Sequence, residues 1–180
     1  DGQDLSHIQT EDQLIWQDIQ NLTAARSSEI ESAQRTIVTW LAVTRGLTQD
    51  ELRQVTEIRR DNFLDALDNL SRYLQTSDDD TYQLIPDVYQ EIIFREECLG
   101  QLDRYVQGLA DEGLEQYLPE VALNIAICAN VQNQDPYPNL WQNCLDGADI
   151  VLSMLLDLED TAHSYYKSLE TVRTTNLPLP

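Results

Sequence analysis

The sequence is poor in positive charge. It has 11 basic residues, of which only Lys167 is a lysine, against 32 acidic residues, and its formal net charge is −21. Proteins that bind DNA, RNA or an anionic membrane surface neutralise phosphate groups with lysine and arginine. The composition therefore disfavours direct binding of nucleic acid and is compatible with a basic protein partner.

The acidic excess is also uneven along the chain. Residues 1–72 hold 7 basic and 13 acidic residues, whereas residues 73–180 hold 4 and 19. Two interpretations stay open. In the first, the acidic second half binds a basic partner or mimics a nucleic acid; in the second, it is a solvated surface that keeps the protein soluble.

Long apolar runs are absent. A membrane-spanning helix needs roughly 18 apolar residues, and the longest run here, residues 121–131, is interrupted by two asparagines. Hydrophobic residues still make up 42% of the chain, which is enough for a core. We predict a soluble single domain over residues 11–174, with a loose segment at 1–10 and a non-helical tail at 175–180.

The chain starts without a methionine and without a basic-then-apolar leader. A cytoplasmic location is the expectation that we favour, and export after removal of a leader is the alternative.

Glycine and proline are scarce, with six of each, which suits helices joined by short turns. Capping boxes at Thr10–Gln13 and Thr48–Glu51 predict two helix starts, and Gly46 predicts a helix end. Pro86 and Pro119 suit the first turns of two further helices. No strand pattern is evident. We therefore predict an all-α fold, an antiparallel bundle of four to five helices.

The predicted helices differ in how well their limits are defined. A polar stretch at Arg26–Glu29 indicates either a kink in one long first helix or a break between two helices. The second predicted helix carries apolar residues from Leu52 to Leu74. The short helix from Glu120 to about Val131 is apolar nearly all round, so we expect it at the centre of the bundle.

The longest pattern is a heptad repeat near the C-terminus. It predicts one helix to about Thr174 that serves as the spine of the bundle. The half near Trp141 has apolar flanks and should be buried, whereas the half beyond Glu159 has polar flanks. That second half either lies on the surface or forms a homodimer contact, so the chain is a monomer or a homodimer through this helix. The repeat comprises Trp141, Cys144, Ala148, Val151, Leu155, Leu158, Ala162, Tyr165, Leu169 and Val172.

Cysteine is also scarce, and three residues do not make a disulfide framework. Cys128 and Cys144 are equally far from Pro136 in the chain, so a helical hairpin would place them opposite each other. A disulfide and a pair of buried free thiols both fit this spacing. Cys98 has no evident partner.

Side chains for catalysis or metal binding are few. The two histidines are His7 and His163, and Asp160 lies three residues before His163, but the second such motif that a di-metal site needs is missing. Asp78–Asp80 fails the EF-hand pattern and predicts a solvated acidic turn.

One weak metal site can be assembled from carboxylates. Glu57 and Asp61 are four apart on the second predicted helix, and Glu91 on the third could face them and hold Mg²⁺. Small all-α nucleotide pyrophosphohydrolases use such carboxylates, together with a lysine for phosphate that nothing here supplies.

Three arginines, Arg53, Arg59 and Arg60, cluster on the second predicted helix. They either pair with the acidic second half or form a patch for an anion or a partner.

The sequence predicts, mostly by exclusion, a non-enzymatic acidic protein that binds another protein in a regulatory or adaptor role, with no cofactor. One alternative is a Mg²⁺-dependent enzyme like the all-α nucleotide pyrophosphohydrolases. Another is an extracytoplasmic helical binding domain, for which an oxidised Cys128–Cys144 pair would be the sign.

Overall fold

The computed structural model is mostly helical with one small sheet. It describes residues 11–24, 27–131, 137, 139–156 and 163–174. The predicted segments 1–10 and 175–180 lie outside these ranges. The helices are α1 (Glu11–Thr23), α2 (Ser28–Thr44), α3 (Gln49–Thr56), α4 (Arg60–Leu70), α5 (Asp87–Ile93), α6 (Leu102–Asp111), α7 (Leu118–Ala129), α8 (Leu140–Leu155) and α9 (His163–Thr174). The strands are β1 (Leu47–Thr48), β2 (Leu74–Thr76) and β3 (Thr81–Leu84).

The three-stranded sheet corrects the prediction of an all-α fold. Its order is β1-β3-β2, and both pairings are antiparallel, with Leu47 and Thr76 each opposite Tyr82. The strands are 2, 3 and 4 residues long. Strands this short do not repeat the two-residue alternation often enough to be seen in the sequence. The mostly helical character of the chain is confirmed.

The polar stretch after α1 separates two helices. α1 ends at Thr23, and α2 begins at Ser28. The hydroxyl of Ser27 caps α2 by accepting a hydrogen bond from the Ile30 amide at 3.2 Å. The sequence therefore encodes this break locally, because the Ser27 side chain bonds to the backbone of the first turn of α2.

The second predicted helix is also two helices. The capping box at its start is confirmed, because Thr48 and Glu51 each accept a hydrogen bond from the other's backbone amide. α3 then ends at Thr56, where Glu57 adopts the left-handed conformation with φ 51°, and α4 starts at Arg60. Apolar residues continue across this break, so the sequence pattern does not reveal it.

The end of α2 differs in detail from the prediction. Arg45, with φ 59°, takes the left-handed position that Gly46 was expected to fill. Gly46 has φ 147° and lies against β3. A Cβ atom at Gly46 would approach Thr81 Cγ2 to 2.8 Å and the Tyr82 carbonyl oxygen to 3.2 Å. The glycine is therefore required by the close approach of β3.

The heptad repeat does not form one long helix. α8 ends at Leu155 and α9 starts at His163. Arg173 Nε on α9 lies 3.0 Å from Asp149 Oδ1 on α8. In a continuous helix these residues would be roughly 36 Å apart. The chain therefore reverses between them, and the prediction of a single spine helix is wrong.

In both halves of the heptad repeat, most of the residues that the structure describes are nevertheless buried within this chain. Cys144, Ala148 and Val151 on α8 are fully buried, as expected, and Leu169 and Val172 on α9 are buried too. The reason is that α9 folds back onto the same core. α7 is central on one side only, because its residues at positions 123, 126 and 127 are half-buried.

A buried asparagine on α7 joins this helix to the end of α2. Asn124 Nδ2 donates to the carbonyl oxygens of Ala42 and Val43, each at 2.9 Å. Its Oδ1 accepts from Arg45 Nη1 at 2.9 Å. These bonds supply partners for carbonyl groups that the last turn of a helix leaves unpaired.

None of the described helices combines the length and the apolar character that crossing a bilayer demands.

Candidate functional site

The carboxylates of the weak magnesium site do not share a helix. Glu57 lies on the left-handed turn after α3, Asp61 lies in the first turn of α4, and Glu91 lies on α5. The break corrects the argument that Glu57 and Asp61 occupy one helical face. In the described ranges, no three histidine, cysteine or acidic side chains are grouped so as to hold a metal ion.

The three arginines of the predicted patch are exposed. Arg53 is on α3, Arg59 precedes α4, and Arg60 is its first residue. None of them forms an ion pair with a carboxylate that the structure describes. Their role as an anion or partner patch stays a prediction.

All three cysteines are free and buried. Burial raises the pKa of Cys144 to about 12 and also raises the pKa of Cys98 and Cys128. The thiolate form that a nucleophile needs is therefore disfavoured at neutral pH. The Cys128–Cys144 disulfide stays a prediction, which mass measurement before and after reduction tests. His7 and Asp160 lie outside the described residues, as does the His163 side chain.

Apolar side chains on α4 that the core does not cover mark a first candidate site. Phe63, Ala66 and Leu70 form the buried face of this helix. Leu64 lies beside that face and is 44% exposed, and Leu67 is half-buried. The apolar side chains of Leu64 and Leu67, beside the buried face of α4, are therefore available for contact with another molecule.

Leu64 and Leu67 line a groove between α4 and the sheet. The register places Leu74, Thr76 and Tyr82 on one face of the sheet, together with the buried Leu84. The groove has a volume of about 340 Å³. We call it the α4 groove; its main lining residues are Gln49, Leu64, Leu67, Asp68, Leu74 and Tyr82.

Aspartates are frequent on α4 and on the turn between β2 and β3, and Asp68 lines the α4 groove. Asp61, Asp65 and Asp68 are exposed on α4, and Asp78–Asp80 form the predicted acidic turn, which connects β2 and β3. Asp79 accepts hydrogen bonds from the Ser77 hydroxyl and from the Thr81 amide, the latter at 3.4 Å. These bonds hold the pKa of Asp79 below its usual value, so this carboxylate is ionised at neutral pH.

β2 is an edge strand of the sheet, because β3 lies between β1 and β2. The Tyr73 carbonyl oxygen accepts a hydrogen bond from the Ile85 amide at 2.9 Å, and the Ser77 amide donates one to the Thr81 carbonyl oxygen at 3.0 Å. Bonded positions alternate in an antiparallel pair, so the backbone groups of Leu74 and Thr76 point away from β3. Such an edge is a template for a further extended chain.

A carboxylate next to the sheet is structural. Glu51 Oε2 accepts hydrogen bonds from the Thr48 amide at 2.9 Å, the Thr48 hydroxyl at 2.7 Å and the Tyr117 hydroxyl at 2.8 Å. Burial alone would raise the pKa of Glu51, but these bonds outweigh burial and lower it. Burial and the bond to Glu51 raise the pKa of Tyr117. Glu51 therefore stays ionised and Tyr117 stays protonated at neutral pH, and the hydrogen bond between them holds Tyr117 against α3.

A second depression lies between α1, α2 and α4 and has a volume of about 660 Å³. Gln34, at its base, is only 2% exposed. Its Nε2 donates to the Leu22 carbonyl at 3.3 Å, while its buried Oε1 has no hydrogen-bond partner among the described residues. We call this depression the Gln34 cavity; its main lining residues are Leu22, Ile30, Gln34, Asp65, Asp68 and Arg72.

Neither depression is predicted by the sequence. The α4 groove depends on β2 and β3, which the sequence did not reveal. The one available signal was Leu64, an apolar residue outside the apolar stripe of the second predicted helix, which comprises Leu52, Val55, Ile58, Phe63, Leu67, Leu70 and Leu74. The chain matches no known protein-family model, and no curated protein or solved structure is significantly similar to it.

Proposed function

We propose that this protein is a non-enzymatic binding module, with a regulatory or adaptor role, whose α4 groove receives an extended basic segment of a partner protein. The observation that carries this proposal is the exposure of Leu64 in a groove of mixed apolar and polar lining beside an edge strand. Among the described residues, the groove has no group of side chains suited to hold a metal ion, which favours binding over metal-dependent catalysis.

Apolar contact supplies the first part of the recognition. Leu64 and the half-buried Leu67, Leu74 and Tyr82 are brought together from α4 and the sheet. Fully burying an exposed leucine contributes about 1.5–3 kcal/mol, so covering the exposed 44% of Leu64 contributes roughly 1 kcal/mol. A partner segment that places one or two apolar side chains in the groove therefore gains binding free energy without a change in the fold.

The aspartates supply the second part. Asp68 lines the groove, and five more aspartates, Asp61, Asp65 and Asp78–Asp80, lie on α4 and on the turn between β2 and β3. In a chain with a net charge of −21, they favour a partner segment with lysine or arginine. Complementary charge raises the association rate and excludes acidic partners.

The edge of β2 supplies the third part. An extended segment that pairs with Leu74 and Thr76 projects alternate side chains to opposite faces of the sheet. Side chains on one face reach the groove, and those on the other stay in solvent. The preferred segment therefore alternates apolar and basic residues.

A defined peptide tests this proposal. We expect a fluorescent peptide of about seven alternating valine and lysine residues to bind, whereas a peptide with glutamate in place of lysine does not bind. Leu64→Ser should weaken binding about threefold to tenfold, because it removes the contact of a side chain that is 44% exposed in the free protein. Fluorescence anisotropy at about 0.05 M and 0.5 M salt should show weaker binding at high salt.

The control is Leu14→Ser, because Leu14 is 52% exposed on α1 and does not line the groove. If Leu64→Ser and Leu14→Ser bind the lysine peptide equally well, the attraction is non-specific and the groove is not the site.

We further propose that the helices form an antiparallel bundle and that the protein acts as a monomer. The burial of Leu169 and Val172 supports a monomer, because these residues of the heptad repeat are covered within the chain. Light scattering coupled to size exclusion tests this, and a dimer mass would contradict it.

A further inference from the structure

We propose that the Gln34 cavity binds an alkyl chain that ends in a protonated amine or a guanidinium group. This site is separate from the α4 groove, although Asp68 borders both. The inference does not depend on the proposed function, because Gln34 and Asp65 line the cavity and do not line the groove.

The first observation is the unpaired acceptor at the base of the cavity. Gln34 is 2% exposed, and its Oε1 has no partner among the described residues. Buried polar atoms in folded proteins nearly always have a hydrogen-bond partner, so this one calls for an N–H or O–H group. The Gln34 amide is held in place by the bond from its Nε2 to the Leu22 carbonyl.

The second observation is the charge of the wall that α4 provides. Asp65 and Asp68 are three residues apart, so they are neighbours on the helix surface. Arg72 is the one cation among the described lining residues, and its guanidinium lies 4.9 Å from the centre of the Tyr73 ring. The described part of the lining therefore carries a net negative charge, which selects a donor that is itself a cation.

The third observation is the apolar part of the wall. Leu22, Ala24 and Ile30 contribute apolar surface from α1 and α2. This surface suits the methylene groups of an alkyl chain and does not suit a bare metal ion. In the described ranges the acidic residues are also too dispersed to hold a metal.

Two sources of this chemistry exist. One is a free alkyl amine or guanidine, and the other is the lysine or arginine side chain of a partner protein. Agmatine represents the free molecule, and N-acetyl-arginine amide represents the side chain within a peptide. Tetramethylammonium is the matched negative probe, since it carries the charge without an N–H donor.

The test is isothermal titration calorimetry of the full chain with each probe at constant ionic strength. We expect agmatine, the arginine amide or both to bind at about 1 mM or below, and tetramethylammonium to bind at least about tenfold more weakly. Binding of agmatine alone identifies a free amine as the ligand, and preferential binding of the arginine amide identifies a partner side chain.

Two variants and two controls locate the site. Gln34→Met and Asp65→Asn should each weaken binding about tenfold, because each removes one charge-assisted contact. Asp61→Asn removes the same charge one turn earlier on α4, outside the cavity lining, and should change binding less than about threefold. Leu64→Ser alters the α4 groove and should leave binding of these probes unchanged.

The absence of binding by both agmatine and the arginine amide would overturn the inference. An equal loss for Asp61→Asn and Asp65→Asn would also overturn it, because the attraction would then be non-specific. If Gln34→Met does not fold by circular dichroism, Asp65→Asn on the exposed wall still decides the question. None of these results affects the peptide test of the α4 groove.

Discussion

Arg173 and Asp149 form an ion pair, with Nε 3.0 Å from Oδ1, although the heptad repeat predicts that they lie far apart along one helix. The pair places α9 alongside α8. Because both side chains are more than half exposed, it contributes little to the free energy of unfolding. The pair is informative because it shows that the chain reverses its direction between Asp149 and Arg173.

A distance measurement tests this reversal. Spin labels at positions 149 and 173 should be less than about 20 Å apart, against roughly 36 Å for a continuous helix. Labels at the exposed positions Gln142 and Ser153 on α8 calibrate the measurement, since 11 helical residues span roughly 16 Å. A separation near the longer value between 149 and 173 would restore the spine helix.

Asn124→Ala should destabilise the fold by about 2–4 kcal/mol, because it leaves the buried carbonyl groups of Ala42 and Val43 without a donor. Urea unfolding followed by circular dichroism measures this change. Asn130→Ala is the matched control, since Asn130 is exposed at the end of the same helix and should cost less than about 0.5 kcal/mol. Similar losses for the two variants would mean that Asn124 does not cap α2.

Glu51→Gln should lower the free energy of unfolding at neutral pH by roughly 1 kcal/mol, since it removes the charged acceptor of three hydrogen bonds. The pKa of Glu51 is lower in the folded chain than its ordinary value of 4.5. Its stabilisation is therefore complete above that value and is lost as pH falls through the folded pKa.

The difference between wild type and Glu51→Gln should accordingly shrink between pH 7 and about pH 3. Urea titrations at both values measure it. Tyr117→Phe removes one of the three donors, so it should shift the loss of stability to higher pH. A gap between wild type and Glu51→Gln that stays constant with pH would show that the carboxylate charge is not responsible.

Gly46→Ala should cost about 2 kcal/mol or more, because Gly46 has φ 147° and the new Cβ would lie 2.8 Å from Thr81 Cγ2. Gly100→Ala is the control, since a Cβ there meets no atom within 4 Å. That substitution should be neutral or slightly stabilising. Thermal unfolding compares the two, and equal effects would argue against the close approach of β3 to Gly46.

Local signals in the sequence predicted helix starts well and helix ends less well. The Thr48–Glu51 capping box forms as expected, because its hydrogen bonds join residues three apart. The end of α3 at Glu57 and the break before α4 were missed, since a left-handed glutamate has no distinctive sequence signature. That break also removed the basis for the magnesium site at Glu57 and Asp61.

The candidate sites were harder to predict from the sequence than the fold was. Leu64 and Gln34 are ordinary helix residues in the sequence, one apolar and one polar. Their interest comes from what is near them: Leu74 and Tyr82 for Leu64, and Asp65 for Gln34. Each combination joins separate elements of the chain, and no local pattern records it.

The sequence by itself determined the helical character, the main apolar positions and the acidic charge of this protein, because helical periodicity and composition are local properties. Only the tertiary structure decided that β3 pairs with Leu47 and that α9 turns back along α8. Two helices that bury their stripes in one core can continue the same apolar period through the turn between them. A three- and four-residue spacing therefore reports which side of each helix is buried, and it does not report the direction in which the chain continues.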